Sequence, residues 1–218
     1  MKKIFLAHCI LLLLISCKEI SSQTDYIVFD KPQPDNDSEL LSLPSKYLGE
    51  FRKNDSTFLF VEKKHIIEKN LWFITIDKDS ISQITDEYDI KNNIITNKIT
   101  KEKYSIKPIK DNFIIEFQSF DTIFSFSENQ KAKRINGNLI LSQRNSIFWT
   151  IQIITIKNKI LNIKKLNQPN DLKAIDSILN ITSKTIDSTQ TLLTPTRQQF
   201  AKILRLKNLG SNEMFAKK

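Results

Sequence analysis

Between residues 47 and 163 apolar and polar side chains alternate with a period of two, in short runs separated by polar knots. That pattern suits half-buried antiparallel strands and is too short in each run, and too rich in β-branched residues, for buried helices. Phe113, Ile115 and Phe117 alternate with Ile114 and Glu116, and Trp149, Ile151 and Ile153 alternate with Thr150 and Gln152. The knots share one design: Asp77-Lys78-Asp79-Ser80, Lys91-Asn92-Asn93, Lys110-Asp111-Asn112 and Lys157-Asn158-Lys159, with Gly137-Asn138 as a further reversal. Asn and Asp tolerate the left-handed backbone of tight hairpins, so each knot is expected to turn the chain between neighbouring strands. The expected fold is mainly β: an antiparallel meander of about nine to eleven strands, closed as a barrel or strongly curled as a sheet.

Helical signals are confined to the end of the chain. Asn170 or Asp171, after Pro169, caps a predicted helix over about 170–180 that presents Leu172, Ile175, Ile178 and Leu179 on one side. Thr194-Pro195 opens a second over about 195–209, with Phe200, Ile203, Leu204 and Leu206 on one face and Gly210 as its stop. Residues 17–44 hold Pro32, Pro34 and Pro44 among small polar residues and read as a flexible tether. Their one apolar patch, residues 26–29, is alternatively a first strand docked on the body. A single β-rich domain is then expected over 45–218, including both helices.

At the other end, Lys2 and Lys3 precede an apolar run that closes on Leu14-Ile15-Ser16-Cys17. The run falls short of the roughly 20 residues that span a bilayer and has the length of a signal-peptide core. Ser16-Cys17 resembles the lipobox cut by signal peptidase II, which implies a signal over 1–16 and a lipidated Cys17 as the new N-terminus. A diacylglyceryl group plus an N-acyl chain, at about 0.8 kcal/mol per buried methylene, makes an effectively permanent anchor. Membrane is therefore the expected partner through Cys17. Lys18 in place of aspartate points to the outer membrane, with the periplasmic face and the cell surface both open.

Composition excludes several chemistries. Cys9 and His8 leave with the signal, so His65 is the remaining histidine and Cys17 the remaining cysteine. Disulfides, cysteine-based zinc sites and sites needing two histidines go with them. Gly49, Gly137 and Gly210 are the only glycines, too few for a phosphate-binding loop or a dinucleotide fingerprint. Net charge is +9 for the whole chain and, without Lys2 and Lys3, +7 after processing. That balance favours a protein partner with acidic character or an anionic envelope surface, while secretion disfavours nucleic acid. No catalytic residue, metal site or cofactor is assigned. His65 reads as a surface histidine at the start of a strand, Asp77, Asp79, Asp86, Glu87 and Asp89 as a solvated turn lacking EF-hand spacing, and Trp72 and Trp149 as core residues. Arg197, Lys202, Arg205, Lys207, Lys217 and Lys218 read as the solvated basic side of an amphipathic end.

Gln33-Pro34-Asp35-Asn36, Leu43-Pro44, Leu48-Gly49-Glu50-Phe51, Gly137-Asn138-Leu139, the Trp149 strand, Asp171-Leu172 and Pro195-Thr196 with Phe200 together resemble a group of uncharacterised lipoproteins from Bacteroidota. The resemblance spans nearly all of the processed chain and implies an envelope lipoprotein, without carrying over a catalytic residue. It also implies O-glycan acceptors at Asp-Ser/Thr triplets, which here give Ser56, Ser80, Thr122, Ser177 and Ser188. The expected function is a membrane-anchored envelope lipoprotein with a non-catalytic binding or structural role. Two alternatives stand beside it. One is a lipid-tethered immunity protein against a toxin that reaches the envelope. The other is a hydrolase of envelope glycans or lipids, which requires a deep cleft with two convergent carboxylates or His65 beside a serine.

Overall fold

The computed structural model describes residues 26–80, 86–168, 170–177, 181, 183–187 and 189–218. Ser16, Cys17 and Ser188 lie outside them, as do Pro169, Ile178 and Leu179. Fifteen strands among the described residues form one mixed, open sheet. They are β1 (Tyr26–Phe29), β2 (Gly49–Arg52), β3 (Thr57–Val61), β4 (His65–Asp77), β5 (Tyr88–Lys91), β6 (Ile94–Asn97), β7 (Lys103–Ile109), β8 (Asn112–Ser125), β9 (Gln130–Ile135), β10 (Asn138–Asn145), β11 (Phe148–Lys157), β12 (Ile160–Lys165), β13 (Ser183–Thr185), β14 (Gln190–Leu193) and β15 (Ser211–Lys217). The fold is mainly β with two short helices near the C-terminus, α1 (Asp171–Asp176) and α2 (Arg197–Ile203).

Four knots turn as hairpins because their residues accept positive φ. Asn92 and Asn93 (φ 54° and 60°) join β5 to β6, Asn136 and Gly137 (49° and 80°) join β9 to β10, and Asn158 and Lys159 (51° and 64°) join β11 to β12. Lys110 (49°) serves the turn from β7 to β8. The knot after Asp77 behaves differently. Here β4 pairs along its whole length with β8 rather than with β5, in the order β3-β4-β8-β7-β6-β5. Both are long, 13 and 14 residues, and a ladder of that length outweighs a local hairpin. A second departure from a meander is β15, which inserts between β12 and β2. A third is the parallel pairing of β1 with β14.

The shorter rows of the sheet curl around one core. Tyr47, Phe51, Leu59, Ile66, Phe124 and Phe215 are among its buried residues, and the Tyr47 hydroxyl donates to the Gly137 carbonyl at 2.9 Å. On the opposite face of β11, Trp149, Ile151 and Ile153 meet Phe29, Leu193, Ile175 of α1 and Phe200 and Ile203 of α2. Burial on both faces accounts for the adjacent buried Ile153 and Ile154 at the middle of β11.

Both helices are shorter than their apolar spacing suggests, and the cap of α2 falls at Thr196 rather than at Thr194. Thr196 Oγ1 accepts from Gln199 N at 3.3 Å while Gln199 Oε1 accepts from Thr196 N at 2.8 Å, a capping box. Asp171 is the first residue of α1 and is buried. Its carboxylate accepts from the backbone N–H of Gln168 (2.8 Å) and of Gly210 (2.7 Å), tying the helix to the turn before β15.

The tether expected over 17–44 is corrected from residue 26 onward. Phe29 and Leu43 are buried, β1 lies between β11 and β14, and the Lys133 ammonium donates to the carbonyls of Pro32 (3.0 Å) and Pro34 (2.9 Å). Burial holds the Lys133 ammonium below the usual lysine range, partly offset by Glu39 and other nearby carboxylates. Two deep apolar anchors, Phe29 and Leu43, and the buried Lys133 ammonium make this segment part of the body despite its loop-like composition.

Candidate functional site: an apolar face on the outer sheet

The outer halves of β4 and β8 leave the body and, with β5, β6 and β7, form a five-strand extension. A register shift at Ile66/Ile67 interrupts the ladder, β3 stays paired to β4 as far as Asn70, and from Ile67 to Asp77 the β4–β8 ladder runs unbroken. Since side chains alternate between faces, Glu68, Asn70, Trp72, Ile74 and Ile76 share one face with Asp121, Ser119, Phe117, Ile115 and Phe113 opposite them. Tyr104 and Ile106 of β7, Ile95 of β6 and Tyr88 and Ile90 of β5 continue that face.

The result is a small apolar centre of its own. Ile95, Ile106 and Ile115 are buried, with Tyr104 and Phe117 packed against them, rings 4.7 Å apart. Beside it lies a cleft of about 260 Å³ between Ile74, Ile76, Tyr88, Ile95, Tyr104, Ile115 and Phe117. The polar side-chain groups of its lining residues are the phenol oxygens of Tyr88 and Tyr104. That of Tyr104 donates to Glu102 Oε2 at 2.8 Å, and this bond, aided by desolvation, raises the Tyr104 pKa above the ordinary phenol value.

Trp72, expected in the core, is corrected to the surface: it is 52% exposed, with Phe73 at 54% and Ile74 at 49%. Three consecutive apolar residues of β4 have no second layer over them among the described residues. Trp149 does pack in the core, at 8% exposure.

The structure disperses most residues that the sequence singles out. His65 opens β4, and its Nε2 meets Glu62 Oε2 at 3.0 Å. Ser125 stands across the ladder from it, but no described cleft includes either. Asp77 ends β4, Asp79 sits in a 3-10 turn and Asp89 pairs with Lys98 at 3.7 Å. Among the described residues no three acidic, histidine or cysteine side chains gather as a metal-holding group. Thr122 and Ser177 are exposed, while Ser56 and Ser80 are half-buried. Ser56 Oγ donates to Asn54 Oδ1 and Ser177 Oγ to the Ala174 carbonyl. At the C-terminal end, Arg197 bonds Asp37 at 2.5 Å and Lys218 bonds Glu50 at 2.8 Å, while Lys202, Arg205 and Lys207 face solvent.

One pair escapes sequence reasoning: Glu68 and Asp121 stand directly opposite each other on the face that carries the cleft. Only the register of two distant strands brings them together. The signal for the cleft itself is the run Trp72-Phe73-Ile74, apolar on both parities where a half-buried strand would alternate. Among the described residues no helix is long and apolar enough to cross a membrane. Comparison with protein-family models, curated proteins and solved structures finds no match to this chain.

Proposed function

We propose that the chain is a lipid-anchored envelope protein of the Bacteroidota type, held to the outer membrane through Cys17, with a non-catalytic binding role served by the outer sheet. The observation that carries the binding role is the apolar face at Trp72 and Ile74, which the chain leaves open beside a cleft of about 260 Å³. Exposed apolar area of this kind costs solubility unless something uses it. The cleft is lined by hydrocarbon and phenol rather than by convergent acids and bases, which favours binding over hydrolysis. The lipid anchor rests on the Ser16-Cys17 signal.

Metabolic labelling with a palmitate analogue tests the anchor. The wild type should take the label and fractionate with membranes, and Cys17→Ala should lose both. Equal labelling of the two chains, or uncut precursor in the cytosol, would refute the envelope reading.

A further inference from the structure

Glu68 and Asp121 sit about 13 Å along the strands from the row of Trp72 and Phe117, at roughly 3.3 Å per residue. Like charges directly opposite on one sheet face are destabilising. Here Glu68 Oε1 takes only the Asn70 amide, at 2.9 Å, and neither carboxylate forms an ion pair among the described residues. Among the described strand residues of the extension, Lys69, Lys91, Lys103 and Lys107 all fall on the opposite parity. Lys78 reaches the Phe113 ring, 5.8 Å away, at the far tip. The face therefore runs from an acidic end, through an apolar stretch, to a tip of opposite sign, over about 27 Å.

Its size decides between occupants. Five strands about 4.8 Å apart and about five residues of apolar length give a flat area of roughly 300 Å², well short of the roughly 800 Å² that each partner of a stable dimer buries. A fatty acid has no cation to set against Glu68 and Asp121.

We propose that this face binds an extended segment of a partner polypeptide, with aromatic or aliphatic side chains over Trp72, Ile74 and the cleft and a lysine or arginine about four to eight residues away between Glu68 and Asp121. The proposal rests on the binding role argued above and names its ligand class.

The test uses the purified full chain carrying Trp149→Phe, so that Trp72 reports alone, in neutral phosphatidylcholine vesicles. The probe is an eight-residue capped peptide with two lysines at one end and isoleucine and phenylalanine alternating with threonine at the other; its counterpart carries glutamate for lysine. The lysine peptide should shift Trp72 emission to shorter wavelength and bind about fivefold tighter than the glutamate peptide, the worth of two exposed ion pairs. Glu68→Gln with Asp121→Asn should erase that preference while leaving thermal unfolding unimpaired. Equal affinity for both peptides, a preference that survives the double substitution, or unmoved Trp72 emission would overturn the proposal. So would self-association of the chain abolished by Ile74→Lys, which would assign the face to a second copy. The assay reads Trp72 whether or not Cys17 carries lipid, so failure of the anchor and failure of this face are told apart.

Discussion

Glu213 of β15 bridges two lysines with one carboxylate, meeting Lys53, the residue after β2, at 2.9 Å and Lys165 of β12 at 3.1 Å. The Lys53 bond is the main cause of its lowered pKa, opposed by desolvation and aided by Lys165. A carboxylate with a depressed folded pKa stabilises above its unfolded value, near 4.3, and that contribution fades as pH falls through the folded pKa. The stability gap between wild type and Glu213→Gln should thus be widest at neutral pH and close below about pH 4, as read by urea unfolding at several pH values. Asp171 is the other residue on which elements converge. Asp171→Asn leaves one buried backbone donor facing an amide and should cost about 1–3 kcal/mol in urea titrations. Two glycines separate backbone strain from collision. Gly137 (φ 80°) has nothing within 4 Å of an added Cβ, so Gly137→Ala should cost only the left-handed penalty, about 1 kcal/mol. At Gly210 (φ 72°) the new carbon would stand 2.3 Å from the Lys165 carbonyl oxygen, and Gly210→Ala should be clearly the more damaging of the two.

At the scale of elements, the β4–β8 ladder decides the architecture. Its register places Glu68 across from Asp121, and relieving that repulsion with Glu68→Gln and Asp121→Asn should raise stability by about 0.2–1 kcal/mol, visible as a higher melting temperature. A lower one would mean that both carboxylates have native partners. Hairpin turns were legible because Asn and Gly at positions 92, 93, 136 and 137 announce positive φ locally. The β4–β8 pairing is not legible, since no local signal says that a strand should skip the three strands that follow it and match one beginning 35 residues after it ends. The same holds for β15: Ser211–Lys217 has one buried apolar residue, Phe215, and becomes a strand because β12 and β2 each offer it an edge. The cap of α1 falls at Asn170, one of the two residues its sequence offers, whereas the cap of α2 lies two residues beyond Thr194 because Thr196 has Gln199 to complete a capping box.

For the whole molecule, a curled body with two packed faces carries an extension that has only a small centre of its own. Mainly-β class, the C-terminal helices and the core placement of Trp149 followed from periodicity. The exposure of Trp72 did not, because a strand pattern gives the parity of a residue and not whether a second layer covers it. The same limit hid the cleft, whose walls come from β4, β5, β6, β7 and β8 together. The central claim is that the inward parity of the body becomes an open, ligand-sized apolar face once β4 passes the end of its pairing with β3 at Asn70. Acrylamide quenching of two single-tryptophan chains tests it most directly. With Trp149→Phe, the remaining Trp72 should emit at long wavelength and be readily quenched; with Trp72→Phe, Trp149 should emit at short wavelength and be protected. A protected, short-wavelength Trp72 would contradict the account.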